Sequence, residues 1–258
     1  MKITKGARVL PKLILIHGRD GVGKTTLASE FSNPIFIGPE SGTYNLNVER
    51  FEGVESWDDI TGALRQVYKM KNKTVVVDSL DWCEILIMKH LCEAQGCDSI
   101  EQCSGGFGKG YTDVKNEFIK MQTNLNALRS KGHDIVCICH SNVAEFNDPA
   151  TDRPYNRYEL KLFKSKSGNV DLRALWREYV DAVIFLQHEV IVTGDVKKPA
   201  QTRGNSTDRV LMHLKPDARW DAKNRFGIRE DLTFNLGSGY QTLNKVLTKG
   251  VNNGTKKS

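Results

Sequence analysis

Apolar positions in this chain fall into short unbroken runs separated by segments of helical period. Residues 13–16 (LILI), 34–38 (PIFIG), 74–78 (TVVVD) and 134–140 (DIVCICH) are too short for helices and do not alternate. That is the pattern of strands buried on both faces of a parallel sheet. Between them, Trp57, Ile60, Leu64 and Val67 recur at helical spacing over residues 56–70, behind Ser56 as an N-cap. Residues 82–95 and 112–132 read as further helices, the second stopped by Gly132.

Beyond residue 140 the pattern changes. Residues 141–168 are polar and turn-rich, which predicts a functional loop or a β-hairpin. A short helix (DLRALWREY) follows, then DAVIFLQHEVIVTG, which reads as paired strands turning near Gln187–Glu189. A polar loop is expected over 196–208, and a last strand over 209–215. The pattern predicts an α/β fold, a mainly parallel sheet flanked by helices with an antiparallel extension toward the C-terminus. One domain is expected over residues 1–247, with a disordered basic tail over 248–258.

The most specific local signal is HGRDGVGKTTLA, residues 17–28, which lies between the first apolar run and a helix-forming stretch. Gly18, Gly23, Lys24 and Thr25 complete the P-loop pattern G-x-x-x-x-G-K-[ST] in the strand–loop–helix setting it requires. Glycines at 18, 21 and 23 let the backbone N–H groups close around an anion, and the helix starting near Lys24 points its positive end at it. Lys24 is expected to reach the β- and γ-phosphates and the Thr25 hydroxyl to ligate Mg²⁺. Asp20, Gly21, Val22 and Thr26 complete the expected ATP cradle.

TVVVDS has the form of a Walker B strand, with Asp78 orienting the Mg²⁺. The next residue is Ser79, where many AAA+ motors carry a catalytic glutamate. The hydrolytic base must then come from elsewhere or be missing. Glu40, just past the second strand in IFIGPESG, is the candidate, because ligands bind at the C-terminal ends of such strands.

Walker A strand, glutamate after the second strand, Asp-Ser Walker B and a polar residue ending the fourth strand form an order that resembles the RecA-like ATPases. IFIGPESG, GFGKGY, CHSNVAEFNDP and DAKNRFGI bring to mind, more narrowly, the small bacteriophage RecA-core ATPases of single-strand annealing and recombination. The resemblance covers most of residues 10–235. It implies a RecA-like P-loop core, ATP hydrolysis with Mg²⁺, and His140 as the γ-phosphate sensor in place of the usual glutamine. It also implies a homo-oligomer, ring or filament, with the ATP site at the subunit interface. Lys223 and Arg225 would then be the cations a neighbour supplies. The loop at about 141–168 would bind single-stranded DNA, with Arg153, Arg157, Lys161, Lys164 and Lys166 on phosphates and Tyr155, Tyr158 and Phe163 on bases. A single-strand-binding protein is an expected partner. No separate N-terminal oligomerisation helix domain or large C-terminal domain is evident, which favours an annealing or accessory role over strand exchange.

The charge is +6 overall, and cations gather in residues 153–177 and 197–229 while the remainder is net acidic. That distribution suits a polyanion partner or a solvated surface. No apolar run approaches a membrane span and no cleavable leader is evident, so a cytoplasmic protein is expected. His90, Cys92, Cys97 and Cys103 lack the tight spacing of structural zinc sites and read as free thiols. Competing readings are a small P-loop kinase, a helicase loader or packaging motor, and a nucleotide-gated binding module. Glu40 with a Walker B strand argues for hydrolysis over phosphotransfer, and Ser79 against typical AAA+ members.

Overall fold

The structure, a computed structural model, describes residues 10–193 and 203–254, with Ile3 and Lys5 ahead of them. In chain order the elements are β1 (Leu13–Gly18), α1 (Lys24–Ser29), β2 (Pro34–Ile37), β3 (Glu49–Arg50), α2 (Trp57–Val67), β4 (Thr74–Asp78), α3 (Leu80–Gln95), α4 (Gly110–Ser130), β5 (Asp134–Phe146), β6 (Tyr155–Leu160), α5 (Leu172–Tyr179), β7 (Ala182–Thr193), β8 (Arg203–His213), β9 (Lys223–Asn224), β10 (Leu232–Asn235) and α6 (Gly239–Gly254).

The strands join in the order β10-β8-β7-β1-β5-β4-β2-β3. From β7 to β3 all pairs are parallel, whereas β8 and β10 are antiparallel additions. This is the expected α/β fold, a mainly parallel sheet flanked by helices with an antiparallel extension toward the C-terminus. Side chains alternate across the sheet. Leu13, Leu15, Ile35, Ile37, Val75 and Val77 face α2, α3 and α4, while Ile14, Ile16, Phe36 and Val76 pack with Leu27 of α1 and Leu243 of α6. Burial on both faces explains the unbroken apolar runs. The predicted capping of α2 is present: Ser56 accepts from the Asp59 N–H at 3.2 Å, and the Asp59 carboxylate accepts from the Ser56 N–H at 2.9 Å.

Four expectations need correction. β7 is one strand, and its ladder with β8 carries a bulge where His188 and Val190 face Val210 and Ser206, so it is not two strands turning near Gln187–Glu189. No glycine, proline or asparagine is present there to make a turn, and a bulge absorbs the irregularity. β8 begins at Arg203, so the second part of the expected 196–208 loop is strand; residues 194–202 lie outside the described residues. It is not the last strand, since β9 and β10 follow. The expected tail is helical from 248 to 254 as the end of α6, and residues 255–258 lie outside the described residues.

Residues 141–160 form the β-hairpin, with Ser141 opposite Leu160 and Phe146 opposite Tyr155. β5 therefore runs without a break from the core sheet into the hairpin, and His140 sits where the two regions meet.

Candidate active site

The C-terminal ends of β1, β2, β4 and β5 converge, because the parallel register places Gly18 beside His140 and Asp78 beside Ile138. Gly23 takes a left-handed conformation, φ 92°, where the loop enters α1, so a side chain here would be strained. Lys24 is buried, and its Nζ donates to the carbonyls of Gly18 at 3.1 Å and Arg19 at 3.0 Å. Burial lowers its pKa. Val22 is buried against the second core face, while Asp20, Gly21, Thr25 and Thr26 line the rim with different exposures.

Gly38 brings the end of β2 against the Walker B strand. A Cβ at Gly38 would lie 1.8 Å from the Asp78 carbonyl oxygen, so only glycine fits. This contact sets Glu40 beside Ser79, whose hydroxyl donates to Glu40 Oε1 at 2.6 Å. The Asp78–Ser79 peptide is cis.

Thr25 Oγ1 donates to Asp78 Oδ2 at 2.9 Å. The other oxygen, Asp78 Oδ1, is buried and has no hydrogen-bond partner among the described residues. Burial, with the Glu40 charge adding to it, pushes the Asp78 carboxyl up to about 7. A buried, under-satisfied carboxylate beside a hydroxyl is a donor set suited to a hard cation. The residues fit Mg²⁺, and Thr25 and Asp78 would hold it. Bound there, the ion neutralises charge on the β- and γ-phosphate oxygens.

His140 is held by a residue the sequence reading missed. Asp81, in the first turn of α3, accepts from the His140 backbone N–H at 3.1 Å and from its Nδ1–H at 2.9 Å. The Asp81 hydrogen bond raises the His140 pKa. Burial pushes the Asp81 carboxyl up, and the bonds to His140 outweigh it, so its pKa lies below the ordinary value. With Nδ1 committed, Nε2 faces the P-loop, 3.4 Å from Asp20 Oδ1. The sequence signal was present in VDSLD, an acid three residues after the Walker B aspartate, but its partner lies 59 positions away.

Lys223 and Arg225 are not near the P-loop of their own chain. They lie at the N-terminal end of β7 and cap α5. Lys223 Nζ donates to the Arg177 and Glu178 carbonyls, while Arg225 donates to the Glu178 carbonyl at 3.0 Å and pairs with Asp181 at 3.1 Å.

The hairpin uses several of its expected DNA contacts internally. Arg157 and Arg177 both bond the Asp221 carboxylate, and Arg173 bonds Glu159. Both acids are buried. Tyr158 stacks on Phe185, ring centroids 5.0 Å apart. These groups hold the hairpin to the core instead of facing solvent. Arg153, Lys161, Lys164 and Lys166 remain exposed.

Among the described residues, no group of three or more His, Cys, Asp or Glu side chains is arranged to hold a metal, the 90–103 cluster included. No helix among them is long and apolar enough to cross a membrane.

A family model described as an AAA domain, AAA_24, matches residues 10–226. The chain belongs to this AAA-domain family. That makes it a nucleotide-binding P-loop ATPase domain. Within the family description, Ser79 still departs from the acidic residue of many AAA+ motors, and the structure gives its hydroxyl to Glu40. A relative from Bacillus subtilis (strain 168), the SPbeta prophage-derived uncharacterized protein YorG, is 27% identical over 139 residues, covering 50% of this chain and 41% of the relative. The match thus spans less than half of that relative's length. Among solved structures, the flagellar accessory protein FlaH of Methanocaldococcus jannaschii aligns over 88% of this chain and 86% of its own, at 10% identity and a TM-score of 0.36.

Proposed function

We propose that the protein is a phage-type, Mg²⁺-dependent ATPase that binds single-stranded DNA and promotes annealing or strand pairing during recombination. The nucleotide half rests on the family and on the site above: Lys24 on the phosphates, Thr25 and Asp78 on the ion, Glu40 orienting the attacking water, His140 sensing the γ-phosphate. The prophage origin of the partial relative supports the phage setting.

The DNA half is carried by one observation, a groove of about 740 Å³ between the glycine loop at 105–112 and the segment 163–170. Phe107 on its rim is fully exposed, and Lys109, Lys164 and Lys166 line it. Tyr111 and Phe163 stack inside it, centroids 3.7 Å apart. Lys164 pairs with Asp171 at 3.5 Å, whereas Lys109 and Lys166 make no ion pair among the described residues, and cations beside aromatic faces suit a phosphate backbone with unpaired bases. The groove, more than the hairpin, has side chains free to grip.

Two short links join this groove to the sensor. The Lys161 N–H donates to the His140 carbonyl at 2.9 Å, and the Phe163 N–H donates to the Glu84 carboxylate at 3.2 Å. Asp81 and Glu84 occupy successive turns of α3, so a shift at His140 is felt at Phe163. The reading includes a homo-oligomer whose ATP site is completed by a neighbour.

The test is ATP hydrolysis with and without single-stranded DNA, alongside Lys24→Ala and a Lys109→Ala/Lys164→Ala/Lys166→Ala variant. The expected result is stimulation by DNA in the wild type, none in Lys24→Ala, and basal hydrolysis without stimulation in the groove variant. Each lysine that touches phosphate should also remove about 0.7 from the slope of log affinity against log salt. Hydrolysis indifferent to DNA, with the groove variant indistinguishable from wild type, would overturn the DNA half and leave the ATPase.

A further inference from the structure

Six cysteines divide into two sets. Cys83, Cys137 and Cys139 are fully buried in the core, where burial pushes their thiols up and no solvent reaches them. Cys92, Cys97 and Cys103 instead gather where α3 ends and the glycine loop begins. Cys92 lies in the last turns of α3 and is half-buried. Cys97 follows Gly96, the left-handed residue that closes this helix, and its Sγ donates to the Gln95 carbonyl at 3.8 Å. Cys103 is fully buried in a short 3₁₀ turn, Cys103–Gly105, and its Sγ lies 3.8 Å from Cys92 Sγ.

Two thiols in van der Waals contact need each move only by about 1 Å to reach the roughly 2 Å of a disulfide bond. The backbone beside Cys103 can give that movement. Ser104, Gly105, Gly106, Phe107 and Gly108 all have positive φ, and Phe107 packs on nothing. The anchor, α3, is a regular helix packed on the sheet. Most of the movement can therefore come from Cys103, at the root of the loop, and less from Cys92 on the helix.

We propose that Cys92 and Cys103 are a reversible thiol–disulfide pair that fastens the glycine loop to α3 on oxidation. The co-reactant is a small-molecule disulfide. The half-exposed Cys92, as thiolate, attacks one sulfur of it and expels a thiolate, forming a mixed disulfide. Burial also pushes the Cys103 thiol up, so it reacts when the loop opens and admits water: it then gives its proton to solvent and attacks Cys92 Sγ, expelling the second thiolate. Two protein thiols are oxidised and the small disulfide is reduced to two thiols. A reducing thiol reverses both steps. Nothing in this depends on the DNA-binding reading. Its consequence is a stiffer loop carrying Phe107 and Lys109.

The experiment treats the full chain with oxidised glutathione, quenches free thiols, and maps cysteine linkages by mass spectrometry. In parallel, trypsin cleavage after Lys109 is timed before oxidation, after it, and after reduction with dithiothreitol. The expected result is a Cys92–Cys103 link in the wild type and in Cys97→Ser, absent from Cys92→Ser and Cys103→Ser. Cleavage after Lys109 should slow severalfold on oxidation and recover on reduction. Cys103→Ser places a hydroxyl in a buried position and risks misfolding; Cys92→Ser, at a half-buried site, and the reversal in the wild type carry the test without it. Six free thiols after oxidation, a link through Cys97, links only between chains, or a stable glutathione adduct would each overturn the pairing. An unchanged cleavage rate in the linked protein would overturn the fastening.

Discussion

Ser79 donates a 2.6 Å hydrogen bond to Glu40, so the residue after the Walker B aspartate works by holding a carboxylate supplied from another strand. The two are 39 positions apart, and the glycine at 38 is what lets their backbones meet. In the proposed function this geometry divides the labour: Glu40 would act on water, and Ser79 would fix its direction. Glu40→Gln should lower ATP turnover by about a hundredfold or more while leaving ATP affinity near wild type. Ser79→Ala should reduce turnover by less, about tenfold, because the carboxylate remains but wanders. Turnover and nucleotide affinity measured on the same preparations decide it. Equal, small losses in both variants would remove Glu40 from the chemistry.

A second prediction concerns Asp78. Its buried oxygen has no partner among the described residues, and in the proposed site a cation would complete it. Asp78→Asn keeps the size and the Thr25 contact but cannot supply the charge. ATP affinity in the wild type should rise when Mg²⁺ is added, and in Asp78→Asn most of that rise should vanish. Titrations with and without excess chelator measure the difference. An undiminished Mg²⁺ effect in the variant would place the ion elsewhere.

The phosphate loop was legible because all of its parts are local: two glycines, a lysine and a threonine between an apolar run and a helix-former stretch. The positions of Asp78 and Glu40 were legible for the same reason, one ending a strand visible as an apolar run and the other lying just past such a strand. What could not be read were pairings made across the fold. Asp81 meets His140 over 59 positions, and Arg157 meets Asp221 over 64, so residues that look like a free basic stripe are partly neutralised in the interior. β10 escaped because LTFN is four residues long with only two apolar positions, and its strand character comes from pairing with β8. The bulge in β7 was misread as a turn for a related reason. A polar stretch inside an apolar run signals an interruption of pairing without saying whether the chain reverses.

The third prediction is a pH dependence. Glu84 is 6% exposed, and burial pushes its carboxyl up to about 7 from an ordinary 4.5. Between those values the folded chain keeps a proton that the unfolded chain releases. Unfolding free energy from this group is therefore full below pH 4.5 and is lost as pH rises through 7, by about 3 kcal/mol in all. His17 works in the opposite sense. Burial lowers it to about 4 from 6.5, so its contribution is full above 6.5 and is lost as pH falls toward 4. The two slopes offset in the wild type. Glu84→Gln keeps an acceptor for the Phe163 N–H and removes one slope. The variant should gain stability relative to wild type as pH rises from 5 to 8, which denaturant titrations at several pH values would show. Parallel curves for the two proteins would mean that Glu84 ionises freely in the fold.

Lys223 and Arg225 give the last prediction, and the structure separates them. Lys223 donates to two carbonyls at the end of α5 and has a structural task in its own chain. Arg225 also bonds that end, but it is 56% exposed and more of it faces outward. In the proposed oligomer Arg225 is then the better candidate to reach a neighbour's γ-phosphate. Arg225→Ala should lower turnover strongly, by about a thousandfold for a cation of this type, without changing ATP affinity. Lys223→Ala should chiefly lower the unfolding temperature. The decisive measurement mixes Arg225→Ala with Lys24→Ala. Each is inactive alone, one lacking the donated cation and the other the phosphate lysine, yet a site between them can have an intact loop from one subunit and an intact Arg225 from the other. Recovered hydrolysis in the mixture means the site is shared. Full activity of Arg225→Ala on its own, or two inactive variants that recover nothing when mixed, would return Arg225 to the role it visibly has, the cap of a helix.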